Sequence, residues 1–253
     1  MISTHPLLPK LKQLKLSGML GTLDLRAEQA TQETLSPLEF FALLLDDELE
    51  RRDQNRMAYR LATSGCNPAK TLAHFDFSSA PGVNRSFITD LATCAFIQRH
   101  ENVLFCGPTG VGKTHLANAL GVEALKRNFR VISKPVFRLL TDLNASRANG
   151  SYNRLLTSLL RADLLILDDF GLQSLSPVAL QDLYELICER YESGSILITS
   201  NRAFEEWAEV FANDLLSSAA LDRLTHHAHT LIIQGESYRQ LSRRKEDLRK
   251  AKS

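Results

Sequence analysis

Cysteine is scarce. The 253 residues hold four, Cys66, Cys94, Cys106 and Cys188, with no CxxC pair and no zinc-ligand spacing among them. That leaves no disulfide framework or structural zinc site to organise the fold. All four read as reduced thiols, and Cys106, inside an apolar strand, reads as a small hydrophobe. An excess of charge of either sign is also lacking: the net charge is +1, which neither demands nor excludes nucleic acid, because local clustering decides. No apolar run approaches the ~20 residues needed to cross a bilayer, and no N-terminal signal pattern appears. These absences predict a cytoplasmic protein with no membrane partner. Aromatic residues make up 7% of the chain, with one tryptophan. Trp207 and Phe211 are spaced as helix-face core residues, with no stacking array for single-stranded nucleic acid. No internal repeat or low-complexity segment occurs. What is present is ordinary for a globular chain, 44% hydrophobic and 23% charged, and the length fits one large or two modest domains.

The first third reads as helix. Leu11, Leu14, Leu16, Met19, Leu20 and Leu23 suggest a loose amphipathic helix broken near Gly18 and Gly21. Ser36-Pro37-Leu38-Glu39 is a capping box with proline at the first helical position. Leu38, Phe41, Leu45 and Leu49 then recur at helical spacing, which predicts a helix to about Ala62 with Gly65 as its stop. The turn-rich stretch 63–82 predicts a boundary, placing an N-terminal helical assembly or partner domain at 1–75 and a second domain at 76–253. From residue 100, short apolar runs at 103–106, 130–133, 164–167, 195–199 and 230–233 alternate with helical patterns. One of these opens at Ser176-Pro177 and places Leu180, Leu183, Tyr184, Ile187 and Tyr191 on one face. Alternating β and α elements predict a five-stranded parallel sheet between helices, an α/β fold.

The sharpest motif is Gly107-Pro108-Thr109-Gly110-Val111-Gly112-Lys113-Thr114, followed by His115. It fits GxxxxGK[ST], follows an apolar strand and opens a helix whose face carries Leu116, Ala117, Leu120 and Ala124. Glycines let backbone N–H groups approach phosphate oxygens, and the helix N-terminus favours negative charge. Lys113 is placed to reach the β- and γ-phosphates of ATP, and Thr114 to ligate Mg²⁺ through its hydroxyl. Leu164–Leu167 then deliver Asp168 and Asp169 to the carboxyl end of a strand, where ligands of such sheets bind. Asp168 is the expected second Mg²⁺ ligand, and Asp169 the group that polarises the attacking water. Asn201, ending Ile198-Thr199-Ser200-Asn201, is placed to orient that water or touch the γ-phosphate.

These elements in this order resemble the AAA+ P-loop ATPases. The chain further resembles the IstB family, helper ATPases encoded with a transposase by bacterial insertion sequences, and is similar to the DnaC helicase loaders. The likeness covers nearly the whole chain: LKLSGML around Gly18, SPLEFFALLLDDELERRDQNR at 36–56, FDF at 75–77, NVLFCGPTGVGKTHLANALG at 102–121, LLILDDFG at 164–171, ITSN at 198–201, ALDRL at 220–224 and GESYR at 235–239. It implies that Arg223 is an arginine finger reaching the nucleotide of a neighbouring subunit, and that Arg239 acts on the nucleotide of its own subunit. A guanidinium, permanently charged and matched to phosphate geometry, suits both roles. The chain departs from the pattern at Asp169, where many relatives carry glutamate, and in a lid truncated to little more than one basic helix carrying Arg239.

The resemblance also implies partners: duplex DNA bound largely without sequence readout, a transposase, and further copies of the chain in an ATP-dependent homo-oligomer with shared sites. Lys134, Arg138, Arg147 and Arg154, in a stretch with Asp142 as its one acid, are candidate phosphate contacts. So is the C-terminal run Arg239, Arg243, Arg244, Lys245, Arg249, Lys250 and Lys252. His226, His227 and His229 lack the spacing of a metal site and read as support for the Arg223 loop. Alternatives remain open at this point: a helicase loader of the DnaC type, a P-loop kinase acting on a small molecule, and a DNA-architectural protein that keeps ATP unhydrolysed.

Overall fold

The computed structural model describes residues 6–173, 175–210, 214–235, 237, 238 and 240. Phe211, Arg239 and the basic run after Gln240 therefore lie outside the described residues. The chain divides into two compact units, 1–59 and 60–253.

The first unit is helical. α1 (Leu7–Gln13) is followed by α2 (Ser17–Gln32) and α3 (Pro37–Ser64), the last of which runs on into the second unit. The capping box forms as its sequence requires: the Ser36 N–H donates to Glu39 Oε2 at 2.8 Å, and the Glu39 N–H donates to Ser36 Oγ at 3.3 Å. These hydroxyl and amide donors hold the Glu39 carboxyl below its ordinary pKa. One local expectation is corrected. The break between helices falls at Leu14–Leu16, where Lys15 turns through φ 57°, whereas Gly18 and Gly21 lie inside α2. Gly18 serves close approach: a Cβ there would lie 2.5 Å from the Asp47 carbonyl oxygen and 2.6 Å from Glu48 Cα. Its N–H donates instead to Glu48 Oε2 at 2.7 Å. The helix predicted from the spacing of Leu38, Phe41, Leu45 and Leu49 forms, and its apolar residues divide by burial. Met19, Leu23 and Leu44 are buried, with Phe40 packed against them. By contrast Leu38, Phe41, Leu45 and Leu49 are 81%, 52%, 41% and 58% exposed. Helical spacing identifies a face without saying what covers it.

The second unit begins within α3, ahead of residue 75, because residues 60–75 are tied to its core. The Asn118 side chain accepts the Asn67 N–H at 2.8 Å and donates to the Asn67 and Lys70 carbonyls. After α4 (Arg85–Leu91) and the single turn α5 (Ala95–Gln98), strand and helix alternate: β1 (Asn102–Cys106), α6 (Lys113–Lys126), β2 (Val131–Pro135), α7 (Val136–Ala148), α8 (Tyr152–Leu160), β3 (Leu164–Phe170), α9 (Pro177–Arg190), β4 (Ser195–Ser200), α10 (Asp214–Thr225) and β5 (Ala228–Ile232). The five strands form a parallel sheet in the order β2-β3-β4-β1-β5. Period-two alternation sends Leu104, Cys106, Leu165, Leu167, Ile196 and Ile198 to one face, where they pack with α7, α8, α9 and α10. On the other face α6 comes close enough that a Cβ at Gly121 would lie 2.8 Å from Ile166 Cδ1. Both faces are thus covered, which is why these strands read as continuous apolar runs. The predicted α6 face, Leu116, Ala117, Leu120 and Ala124, is buried. Ser176 caps α9 by accepting the Ala179 N–H, and Leu180, Leu183 and Ile187 of that helix are buried.

At the foot of the sheet the Arg190 side chain is buried. It donates to the carbonyls of Leu159 (2.9 Å), Ala162 (2.8 Å) and Ser195 (2.7 Å), binding the end of α8 to the start of β4. Burial pulls its pKa down to about 10. Trp207 is likewise buried, against the rings of Phe170 and Phe204.

Candidate functional site

Strand order places the site. β1 sits inside the sheet between β4 and β5, so its carboxyl end opens onto a crevice flanked by the ends of β3 and β4. The loop from Gly107 to Gly112 crosses this end and feeds α6. Gly107, Gly110 and Gly112 have φ of 144°, 90° and 99°, values that disfavour any side chain. Space is also closed at Gly107, where a Cβ would fall 2.1 Å from the Ile233 carbonyl oxygen. Lys113 is buried at the first turn of α6. Its Nζ donates to the carbonyls of Gly107 and Pro108, both at 2.8 Å, and to Asn201 Oδ1 at 2.6 Å. Desolvation lowers the Lys113 pKa, opposed by the charges of Asp169 and Asp168. The strand-end residue Asn201 is thereby joined directly to the phosphate-type loop.

The Thr114 hydroxyl donates to Asp168 Oδ1 at 2.9 Å. Hydroxyl and carboxylate oxygens side by side at the mouth of a glycine-rich loop are the hard donors that suit Mg²⁺ rather than a softer metal. Successive strand residues ordinarily point to opposite faces, yet Asp168 and Asp169 both line the same cavity. The pairing explains how. Between β3 and β4, Leu167 pairs with Ile198 and Phe170 with Ser200, so Asp168 and Asp169 together oppose Thr199. This is a β-bulge, which re-aims side chains, and Asp169 takes φ 59° within it.

The cavity has a volume of about 630 Å³. Besides the loop, Lys113, Thr114, His115, Asp168, Asp169 and Asn201, it is lined by residues assigned no role from sequence: Lys70, His74, Phe75 and Asp76 on one side, Gln234, Gly235 and Tyr238 on another. The Phe75 ring lies in the space a Cβ at Gly112 would occupy, 2.7 Å away, and packs edge-on against His115. His115 Nε2 is 2.8 Å from the Thr71 carbonyl oxygen, and the Tyr238 N–H donates to the Gly110 carbonyl at 3.0 Å. The one sequence clue to the first wall was the FDF segment at 75–77. Asp76 itself is turned into its own loop: Ser78 and Ser79 donate to its carboxylate, lowering its pKa to about 2.

Arg223 is not brought to this cavity. It lies in the last turn of α10, and its guanidinium donates to the Ala219 carbonyl at 2.8 Å and lies 6.0 Å from the centre of the Tyr191 ring. The Tyr191 hydroxyl is in turn 2.9 Å from His226 Nδ1. The Arg223 and Leu224 carbonyls accept from Asn102 Nδ2, at the start of β1. The glycine-rich loop leaves the other end of that strand, about 13 Å away at the usual rise. His229 pairs with Glu101 at 2.7 Å, and no cluster of three or more metal-ligating side chains occurs among the described residues.

The candidate phosphate contacts are differently placed. Lys134 pairs with Asp142 at 2.7 Å, and Arg138 approaches the same carboxylate at 3.9 Å. Arg147 pairs with the buried Asp182, which α9 supplies, and stacks 4.0 Å over the Tyr152 ring. Arg154 is exposed on α8. No described helix is long and apolar enough to cross a membrane.

The arrangement matches known proteins at the level of both sequence and fold. The profile of the IstB-like ATP binding proteins matches residues 9–246. An ATP-binding protein of insertion sequence IS21 from Pseudomonas aeruginosa is 40% identical over 241 residues, 95% of this chain and 91% of its own length. Among solved structures, DnaA from Aquifex aeolicus bound to AMPPCP superposes with a TM-score of 0.58 at 22% identity, over 74% of this chain and 56% of that one. The DnaC helicase loader gives 0.51 at 24%, over 60% and 92%. The fold is that of the AAA+ P-loop ATPases, and the chain belongs to the family of IstB-like ATP-binding proteins of insertion sequences.

Proposed function

We propose that this protein hydrolyses ATP while assembled with further copies of itself on duplex DNA, and that this cycle regulates a partner transposase. The observation that carries the reading is the separation of two sets of groups. Lys113, Thr114, Asp168, Asp169 and Asn201 meet in one cavity, while Arg223 lies at the opposite end of β1. A guanidinium that far from its own nucleotide, held at the end of a helix by the Ala219 carbonyl and the Tyr191 ring, suits a role at a neighbour's phosphates.

In this reading the loop N–H groups and Lys113 hold the β- and γ-phosphates. Asp169 orients a water in line with the γ-phosphorus, and the bond to the ADP oxygen breaks as the new P–O bond forms, giving ADP and phosphate. Mg²⁺ at Thr114 and Asp168 would neutralise developing charge on the phosphates. Asn201 keeps Lys113 aimed into the site. The guanidinium of Arg223 from a second copy completes the charge around the transferred group, so turnover waits for assembly. Arg154 and the basic C-terminal run offer unpaired or clustered charge to DNA phosphates. Arg147, held by Asp182, serves instead to fix α7 against α9. The exposed row Leu38, Phe41, Leu45 and Leu49 supports an assembly or partner role for the N-terminal unit.

The test is ATPase activity with and without duplex DNA. DNA is expected to stimulate the wild type, and Arg223→Ala to lose about 10²-fold or more in kcat while still binding ATP. A variant whose stimulated rate equals wild type would remove the shared-site reading.

A further inference from the structure

Thr199 is buried on β4, two residues before Asn201, inside the ITSN segment but with no role assigned to it from sequence. On the β4 side it is the residue that the bulged pair Asp168–Asp169 opposes. A bulge takes a backbone group out of the ladder, and a buried N–H without a partner is costly. Here the Asp169 N–H, displaced from regular pairing, donates to Thr199 Oγ1 at 3.1 Å. The same hydroxyl donates its own proton to Asp168 Oδ1. One side chain thus holds the carboxylate of the first acid and the backbone of the second. Asp168 Oδ1 also accepts from Thr114 at 2.9 Å, so the two hydroxyls fix that carboxylate from β4 and from α6 together.

We infer that Thr199 is a positioning residue for hydrolysis: its hydroxyl pins the bulge that turns both aspartates onto one cavity. Three features of the chemistry single out a hydroxyl on a β-branched side chain. Valine offers the same shape on a strand but neither accepts nor donates. The alcohol does both at once, which the two bonds require. The β-branched stem limits rotation about χ1, so the oxygen stays between its partners. Thr199 does not itself line the cavity. Its effect passes through Asp168 and Asp169, and should fall on the chemical step more than on nucleotide affinity.

The inference rests on the hydrolytic reading above, and the experiment separates the two. DNA-stimulated ATPase and equilibrium binding of ATP are measured in Mg²⁺ for the full-length wild type, Thr199→Val, Thr199→Ser and Asp169→Asn. Thr199→Val is expected to lose tenfold or more in kcat, on the scale of about 10²-fold for a misplaced group, with ATP affinity and KM near wild type. Thr199→Ser, which keeps the hydroxyl, is expected to recover most of that loss. A purely structural role would lower the melting temperature without this split between kcat and KM, and without rescue by serine. Should Thr199→Val not fold, Thr199→Ala carries the comparison. Wild-type kcat in Thr199→Val, or a serine variant as impaired as the valine one, overturns the inference. Wild-type kcat in Asp169→Asn removes Asp169 from the chemistry, and a wild type that turns over no ATP with or without DNA overturns the hydrolytic reading itself.

Discussion

Asp169 shows how one residue can be decided by backbone as much as by chemistry. Many relatives of the resembled superfamily carry glutamate there, and a shorter acid reaches less far. The bulge gives Asp169 a φ of 59°, a region in which aspartate and asparagine are enriched among non-glycine residues. The shorter side chain suits the conformation, and the bulge supplies the aim that length would otherwise supply. Asp169→Asn should leave the melting temperature and ATP binding near wild type while abolishing hydrolysis. Asp169→Glu should be worse than its charge suggests, losing about 1 kcal/mol of stability to the left-handed backbone together with activity. Calorimetry beside a steady-state ATPase assay checks both, and a fully active, fully stable glutamate variant would refute the backbone argument. The glycine-rich loop, the acids and Asn201 were legible in the sequence because each carries its chemistry in its residue type. Thr199, Phe75 and Tyr238 stood inside the ITSN, FDF and GESYR segments without a role, since their importance lies in what they touch across the fold.

At the scale of elements, start and stop signals were read well where capping chemistry sets them, as at Ser36 and Ser176. They were misread where packing sets them. Gly18 looked like a helix breaker, but the absent Cβ makes room for the α3 backbone. Gly18→Ala should therefore destabilise the N-terminal unit by about 1–3 kcal/mol through overpacking, although alanine is the better helix former. Thermal unfolding followed by circular dichroism decides it, and a stabilised variant would show that α2 and α3 do not approach so closely. The same pair is joined by Arg26 and Asp47, at 2.8 and 2.7 Å through two guanidinium nitrogens. The Arg26 hydrogen bonds hold the Asp47 pKa at about 2, against an ordinary 3.8. A carboxyl depressed in the folded state binds its proton more readily when unfolded. Its stabilisation is thus complete above the ordinary value and drains away as pH falls from about 4 towards 2. Arg26→Met should flatten the pH dependence of stability in that window, which urea titrations at pH 2, 3, 4 and 6 would reveal.

For the molecule as a whole, the parallel sheet announced itself through five apolar runs. Turn-forming residues at 63–82 predicted a boundary there. Their backbone wraps the nucleotide cavity, with Asn67 bonded to Asn118 and Phe75 set against Gly112. Glycine, proline and serine mark a bend in the chain and say nothing of whether that bend is solvated or packed. A fragment beginning at Asp53 keeps the last turns of α3, all of that wall and the apolar layer of α7–α10 on the sheet. It should fold cooperatively and bind Mg·ATP with the affinity of the full chain. The first unit has its own small cluster around Met19, Leu23 and Leu44, too slight a core to hold about 60 residues firmly on its own. If the exposed row on α3 serves assembly, the fragment should bind nucleotide yet lose DNA-stimulated turnover, because no neighbour would deliver Arg223. Nucleotide titration and light scattering on fragment and full chain separate these outcomes. A fragment that assembles and turns over normally would move the assembly surface out of the N-terminal unit, and one that cannot bind ATP would show that the cavity depends on residues before Asp53.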